Sequence, residues 1–300
     1  MKCRMCGGKA VIKLPAHNIG LCSECLILFL RRRVERTIKR LRLLSPGEKI
    51  LVAISGGKDS LSLWDLLLEL GYEAEGLYID LGIGDYSQKS EEKAVGFAQK
   101  RGVGLQIVRV KEHFRGLGIP EIARRAGRAP CSVCGLVKRY LMNQAGKKGG
   151  FDVIATGHNL DDEVSFLLSN LLSWQRESLA RQAPSLPDRQ SLLRKVKPLV
   201  LCSEREMAAY AFVRGIDYIL DECPYSQGST SLRYKSVLNK LEEHSPGTKL
   251  HFYQGFLKNR SLLKMTGEEP ELHPCEGCGY LTPAQICSFC RLRERVLQKV

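Results

Sequence analysis

Residues 49–60 read KILVAISGGKDS, an apolar run that breaks into two glycines and a lysine. Lys49 to Ile54 suits a strand buried on both faces of a parallel sheet. Ser55, Gly56, Gly57, Lys58, Asp59 and Ser60 then turn the chain into a helix over Leu61 to Leu70, which Gly71 stops. Two glycines let the backbone fold tightly and bring its N–H groups to phosphate oxygens. The helix N-terminus adds partial positive charge at the same place. Ser55 and Ser60 offer hydroxyls, and Lys58 a point charge. Asp59 is unusual beside phosphate and suggests a magnesium ion or an ordering of the loop. An ordinary Gly-Gly turn would need none of this, so six matched residues between strand and helix favour a nucleotide loop. It is not the Walker-type loop, which has four residues between its first glycine and Gly-Lys-Ser/Thr.

Outward from this loop, strands and helices alternate. Ala74 to Ile79 reads as a strand, Ser90 to Lys100 as a helix and Leu105 to Val110 as a strand. Asp152 to Thr156 is a fourth strand, followed by a helix over Leu160 to Leu172. This order predicts an α/β fold with a parallel, doubly wound sheet whose ligands bind at the carboxyl ends of the strands. Asp80 stands just past the end of the second strand. After the fourth strand comes Thr156-Gly157-His158-Asn159-Leu160-Asp161-Asp162-Glu163. Carboxylates at the mouth of a nucleotide site hold magnesium or accept a proton; the plainer role is to cap the next helix. Their place at the same sheet edge favours the first. Arg176 to Arg194, polar and containing Pro184 and Pro187, reads as a mobile loop. Helices are expected at Glu204 to Arg214, Ser231 to Glu243 and Thr248 to Leu263.

The chain has 300 residues, 44% of them hydrophobic, enough for a sizeable core with appendages. No apolar run approaches the ~18 residues of a membrane span, and the start has no signal-peptide core. A soluble, cytoplasmic protein is expected. The net charge of +14 suits a nucleic-acid partner, although a basic surface can also serve solubility alone. The charges cluster: a helix over Leu26 to Leu43 carries Arg31, Arg32, Arg33, Arg36, Lys39, Arg40 and Arg42, and Arg124, Arg125 and Arg128 precede a cysteine pair.

Of twelve cysteines, ten form five Cys-x2-Cys pairs. In a reducing compartment metal is the default reading. Cys3-x2-Cys6-x15-Cys22-x2-Cys25 and Cys275-x2-Cys278-x8-Cys287-x2-Cys290 have the spacing of structural zinc sites, with rubredoxin-like iron the main competitor. Gly7, Gly8, Gly277 and Gly279 beside the first knuckles suit the tight turns around a metal. Cys131 and Cys134 lie between the third and fourth strands, and only Cys202 and Cys223 remain to join them. Cys223 precedes Pro224, a step common beside iron–sulfur clusters. The residues alone leave a cluster and a redox disulfide both open. Cys202 follows the apolar run Leu199-Val200-Leu201 and reads as a core residue.

The loop resembles the PP-loop of the N-type ATP pyrophosphatases. The combination of an N-terminal zinc module, PP-loop, Cys-x2-Cys plus a later Cys, and a C-terminal zinc module resembles the TtuA-type tRNA 2-thiouridine synthetases over almost the whole chain. The tRNA 2-thiocytidine synthetases share only the middle. The resemblance implies three parts: residues 1–28, a zinc module; 29–265, a PP-loop catalytic domain led by the basic helix; and 266–300, a second zinc module. It implies ATP and Mg2+ at Ser55 to Ser60, Asp80, Gly157, His158 and Asp162, and two Zn2+ at the terminal modules. It implies a 4Fe–4S cluster on Cys131, Cys134 and Cys223 whose open iron binds sulfide. Lys138, four residues after Cys134, and Asp161 would be catalytic: ATP adenylates a uridine O2, Lys138 steadies the developing charge, and Asp161 orients or deprotonates the base. Relatives take sulfur from a ubiquitin-like thiocarboxylate carrier, act on tRNA and are commonly homodimers. Scarce asparagine, as in heat-adapted proteins, favours 5-methyluridine 54 over wobble uridine 34. Persulfide chemistry of the cytidine 32 kind is the alternative within the class. An ATP-dependent amidase or ligase, or a non-catalytic zinc-bearing RNA-binding protein, are the alternatives outside it.

Overall fold

The computed structural model describes residues 1–186, 192–226, 230–263 and 271–298. The chain opens on an antiparallel hairpin, β1 (Ile12–Leu14) and β2 (Ile19–Leu21), and enters α1 (Ser23–Leu41). Leu26, Leu30, Val34 and Ile38 line one side of α1 at four-residue spacing and are buried. Arg33 lies beside that stripe, and its Nε donates to the Leu201 carbonyl at 2.8 Å. It is therefore part of the packing, whereas Arg32, Arg36 and Arg40 are exposed. His17 Nε2 meets Glu206 Oε1 at 2.8 Å and ties the hairpin to the body of the protein.

The body follows the expected alternation. β3 (Ile50–Ile54) leads to α2 (Lys58–Glu69), β4 (Ala74–Asp80), α3 (Gly84–Arg101) and β5 (Leu105–Arg109). Three helices come next: α4 (Val110–His113), α5 (Ile119–Ala126) and α6 (Pro130–Lys148). The sheet resumes with β6 (Val153–Thr156), and α7 (Leu160–Leu172) has the expected bounds. Strand order is β5-β4-β3-β6, then two strands introduced below, and the three pairings among these four strands are parallel. The order reverses beside β3, so the loop after β3 stands at the topological switch point, where this class of sheet binds ligands.

Alternation along the central strands sorts the two faces. Ile50, Val52 and Ile54 of β3 pack with α1, Trp64 of α2 and Phe97 of α3. Leu51, with Leu77 and Ile79 of β4, packs with α5 and α6 on the other face. The stretch 176–194 differs from the expected loop. It contains α8 (Arg176–Arg181) and an edge hairpin, β7 (Ser185–Leu186) and β8 (Arg194–Val196), with β8 parallel to β6 and β7 antiparallel outside it. Short edge strands are read poorly from composition because one side of the ladder has no partner to demand apolar residues. Pro187 lies outside the described residues.

The remainder is helical: α9 (Glu204–Val213), α10 (Thr230–His244) and α11 (Thr248–Asn259), with a 3-10 turn over Arg260–Leu263. Leu238, Tyr253 and Phe256 form a third core with α7. At the C-terminal end β9 (His273–Pro274) and β10 (Leu281–Thr282) pair antiparallel and precede α12 (Ser288–Leu297). Phe289 of α12 stacks on Tyr140 of α6, centroids 3.8 Å apart and 5° from parallel. The expected boundary at 28/29 falls inside α1, and that at 265/266 lies outside the described residues.

Candidate active site

The loop after β3 is held by its own hydroxyls. Ser55 N donates to Ser60 Oγ at 3.1 Å, and Ser60 Oγ donates to the Gly57 carbonyl at 3.0 Å. Gly56 has φ +75°, and a Cβ there would lie 2.5 Å from the Ser90 carbonyl oxygen. Only glycine meets both conditions. At Gly157 a Cβ would sit 2.9 Å from the Ser60 backbone, so this glycine lets the loop after β6 lie against the start of α2.

Between these loops is a cavity of about 350 Å³. Its walls include Ser55, Asp59 and Ser60 from the loop, Tyr78 and Tyr86, His158 and Asp162, and Lys138 from α6. Burial pushes the Asp59 carboxyl above its ordinary range, and neighbouring Asp162 adds to the shift while Lys58 and Asn159 oppose it. Both carboxylates line this cavity and each also meets a lysine, Asp59 with Lys58 at 3.2 Å and Asp162 with Lys235 at 2.6 Å. Burial holds His158 below its ordinary value, with help from Lys197; its Nδ1 is 2.9 Å from Thr156 Oγ1.

Behind this wall lies a charged chain that the sequence reading did not single out. Lys58 Nζ donates to Glu204 Oε1 at 2.8 Å, and Lys235 Nζ reaches Glu204 at 3.3 Å and Asp162 at 2.6 Å. Glu204 begins α9 and Lys235 sits in α10. No local pattern marks either, because their meeting is made by docking of distant helices.

The structure does not bring every expected residue to the cavity. Asp80 accepts from Gly82 N at 2.8 Å and from Arg109 at 3.2 Å, and lines an adjoining cleft with Gln88 and Glu91. Asp161 is buried and accepts from Lys249 Nζ and, at 2.8 Å, from Glu204 N. It lines a different cavity, of about 510 Å³, walled by His17, Glu206 and Lys249. The reason is rotation: Asp161 and Asp162 are successive residues of α7 and point about 100° apart.

The third cysteine set stands at the other end of the nucleotide cavity's wall. Pro130 is an N-terminal residue of α6, and Cys131 and Cys134 occupy its first turn. Ile219 N donates to the Gly56 carbonyl at 2.9 Å, anchoring the segment that carries Cys223 to the phosphate loop. Cys131 Sγ lies 3.2 Å from the Tyr225 carbonyl. Burial pushes the Cys134 thiol up; Lys138 and Arg139 pull it down, while Cys223 and Cys131 push it further up. Cys223 and Cys131 thus both lie in the electrostatic surroundings of Cys134, but among the described residues the three sulfurs do not close to within 4.8 Å of one another. Tyr86 is raised by burial and then by Cys223 and Cys134. Tyr86 and Lys138 thus belong both to the nucleotide cavity and to the surroundings of the thiols.

Each terminal module gathers four thiols within 4.8 Å of one another: Cys3, Cys6, Cys22 and Cys25, and Cys275, Cys278, Cys287 and Cys290. Gly7 and Gly279 have positive φ at the knuckles. Backbone N–H groups, that of Cys22 foremost, pull Cys3 down to about 6. Burial opposes ionisation of Cys275, yet the N–H groups of Cys287, Gly277 and Cys278 bring it to about 6 as well. Four convergent sulfurs with amide donors behind them fit one tetrahedral ion. Cys202 is buried in the core, its thiol pushed up to about 12 by burial.

Residues 30–233 match the PP-loop domain family, and residues 2–27 match the N-terminal LIM domain of 2-thiouridine synthetase TtuA. The chain is 48% identical to a tRNA-5-methyluridine(54) 2-sulfurtransferase of Thermus thermophilus, over 100% of this chain and 93% of the relative. It is 48% identical to the same-named protein of Pyrococcus horikoshii, over 97% and 93%. Cytoplasmic tRNA 2-thiolation protein 1 of Drosophila melanogaster is 31% identical over 96% and 86%. Among solved structures, the U34-tRNA thiolase NcsA from Methanococcus maripaludis with its 4Fe–4S cluster aligns with TM-score 0.84 and 27% identity, over 99% of this chain and 96% of that one.

Proposed function

This chain belongs to the PP-loop family of tRNA 2-thiolation enzymes, and we propose that it is a tRNA sulfurtransferase that uses ATP to replace O2 of 5-methyluridine 54 with sulfur. One observation supports this chemistry above the others: Lys138 and Tyr86 line the nucleotide cavity and also stand in the surroundings of Cys134, with Tyr86 beside Cys223 as well.

The N–H groups of Gly56 to Lys58 and the hydroxyls of Ser55 and Ser60 receive the phosphates of ATP. Asp59 and Asp162 would hold Mg2+ between them. The base O2 attacks the α-phosphorus and pyrophosphate departs, turning a poor leaving group into an adenylate. Lys138 faces the developing negative charge from α6. Cys131, Cys134 and Cys223 would hold the 4Fe–4S cluster, which supplies sulfur to C2 when bound; AMP then leaves. Tyr86 lines the cavity on the side of Cys134 and Cys223. We assign Asp161 a positioning role in place of base orientation: it fixes Lys249 and the first turn of α9, and so sets Glu204 against Lys58 and Lys235. The two four-thiol modules would each hold a structural Zn2+, leaving residues 29–265 as the catalytic part.

Among the described residues no helix is long and apolar enough to cross a membrane. We take the enzyme to work in the cytoplasm, as a homodimer, with sulfur brought by a ubiquitin-like thiocarboxylate carrier; these readings rest on the family. Anaerobically reconstituted protein, ATP, sulfide and a tRNA carrying 5-methyluridine 54 should yield the 2-thio nucleoside on mass spectrometry, with tRNA-dependent AMP and pyrophosphate. Full activity in iron-free protein would remove the cluster from the reaction. The similarity to a U34-tRNA thiolase supports a second reading, and mapping the sulfur to the anticodon would select it.

A further inference from the structure

We propose that tRNA docks along an arginine edge formed by α5, the start of α6 and α12, and that the basic helix α1 is not its main seat. This inference rests on the functional reading above and names the face through which the substrate reaches the site.

Arg124, Arg128, Arg139, Arg291 and Arg295 are all exposed. Among the described residues none of the five pairs with a carboxylate. Arg128 donates to Ser132 Oγ at 3.0 Å, next to Cys131, and Arg291 donates weakly to Ser288 Oγ at 3.4 Å. The guanidinium of Arg295 comes within 3.8 Å of where a Cβ on Gly127 would lie, between Arg124 and Arg128 in sequence. Arg291 and Arg295 are one turn apart, on the side of α12 away from buried Phe289, Leu292 and Val296. Arg139 stands on α6, where its charge acts on Cys134 and on Tyr280 of the C-terminal module. The edge therefore starts at the thiols and continues over the C-terminal module.

The sequence offered α1 as well, with seven basic residues between Arg31 and Arg42, alongside the zinc modules and the cluster from Arg124 to Arg128. The structure weakens that choice. Arg33 is spent on the Leu201 carbonyl, and Lys39 pairs with Glu35 at 2.6 Å. More decisively, α1 packs with α2 and α9 on one face of the sheet, whereas Cys134 and Cys223 pack with α5, α6 and α12 on the other. A substrate whose base must reach the thiols meets the second face first.

Unpaired guanidinium forks suit phosphate, which takes two parallel hydrogen bonds from each. A protein partner would want an apolar centre to its interface. Among the described residues none of the exposed large hydrophobic side chains is on α5, α6 or α12. The chemistry of the edge is that of an RNA backbone.

The test titrates the reconstituted holoenzyme with unmodified tRNA transcript across a salt series. The double variant Arg128→Glu/Arg295→Glu is compared with Arg32→Glu/Arg36→Glu on α1. The edge variant should lose about tenfold or more in tRNA affinity and about two units of the log–log salt slope, with the KM for ATP unchanged. Arg128→Lys/Arg295→Lys, which keeps the charge, should retain most of the affinity. A larger loss from the α1 variant than from the edge variant overturns the proposal. So does an edge variant that binds tRNA normally and loses only turnover fed by a protein sulfur carrier, which would assign the face to that carrier. A wild-type protein that shows no salt-dependent tRNA binding at all refutes the functional reading and this inference together.

Discussion

Replacing Lys249 with methionine removes the cation that faces Asp161. Both residues are buried, with relative exposures of 6% and 4%. Asp161 would keep one donor, the Glu204 amide at 2.8 Å, and no charge to balance its own. Breaking one side of a buried pair costs about 3–5 kcal/mol, because the remaining charge is left uncompensated. At roughly 2–4 °C per kcal/mol for a chain of this general size, the melting temperature should fall by roughly 10 °C. Asp161→Asn in the same background can still accept from Glu204 N through its amide oxygen, and should restore most of the loss. Differential scanning calorimetry of the two single variants and the double variant reads the coupling directly. A parallel thiolation assay separates structure from chemistry. If Lys249→Met melts within about 1 °C of wild type while Asp161→Asn alone abolishes turnover without changing stability, the positioning role is wrong and the carboxylate acts on the substrate.

Three further outcomes are expected. Gly56→Ala places a Cβ 2.5 Å from the Ser90 carbonyl at φ +75°; with a left-handed penalty of about 1–2 kcal/mol and a displaced loop, the KM for ATP should rise at least about tenfold, and an unchanged KM would argue that phosphates do not bind there. His158 is held below its ordinary value by burial, so below the unfolded pKa near 6.5 the unfolded chain takes a proton that the folded one resists. Its contribution to stability is therefore complete at higher pH and is lost as pH falls through 6.5, by at most about 1.4 kcal/mol per unit. Urea midpoints of wild type and His158→Gln should converge in slope above pH 7 and diverge below it. Phe289→Ala removes the ring stacked on Tyr140, two residues after Lys138. Iron retained after reconstitution should drop, whereas Cys6→Ser, across the sheet, should leave it near wild type; equal losses would show that the C-terminal module does not steady α6.

The parts of the site that lie close together in sequence were readable before any coordinates. The stretch from Lys49 to Ser60 carries strand, turn and helix start within twelve residues, and its glycines answer to local φ and a close approach at Ser90. The two four-cysteine modules close over short loops, so spacing alone brings their thiols together. The α7 bounds were legible because Asn159 caps the helix through Asp162 N. Less legible was α6, which no strong apolar period announces although Pro130 marks its start. The edge hairpin within 176–194 was hidden in polar composition.

By itself, then, the sequence determined the class of fold, the phosphate loop and the metal-binding modules, because each is set by interactions within a few residues or a short closed loop. Only the tertiary structure decided which groups share a cavity. It brought Glu204 and Lys235 to Lys58 and Asp162, turned Asp161 toward Lys249, and put the thiols across the sheet from α1. Those outcomes depend on the rotation of a side chain about its helix and on the docking of helices far apart in the chain. Packing of the whole core fixes both, and no local pattern encodes either.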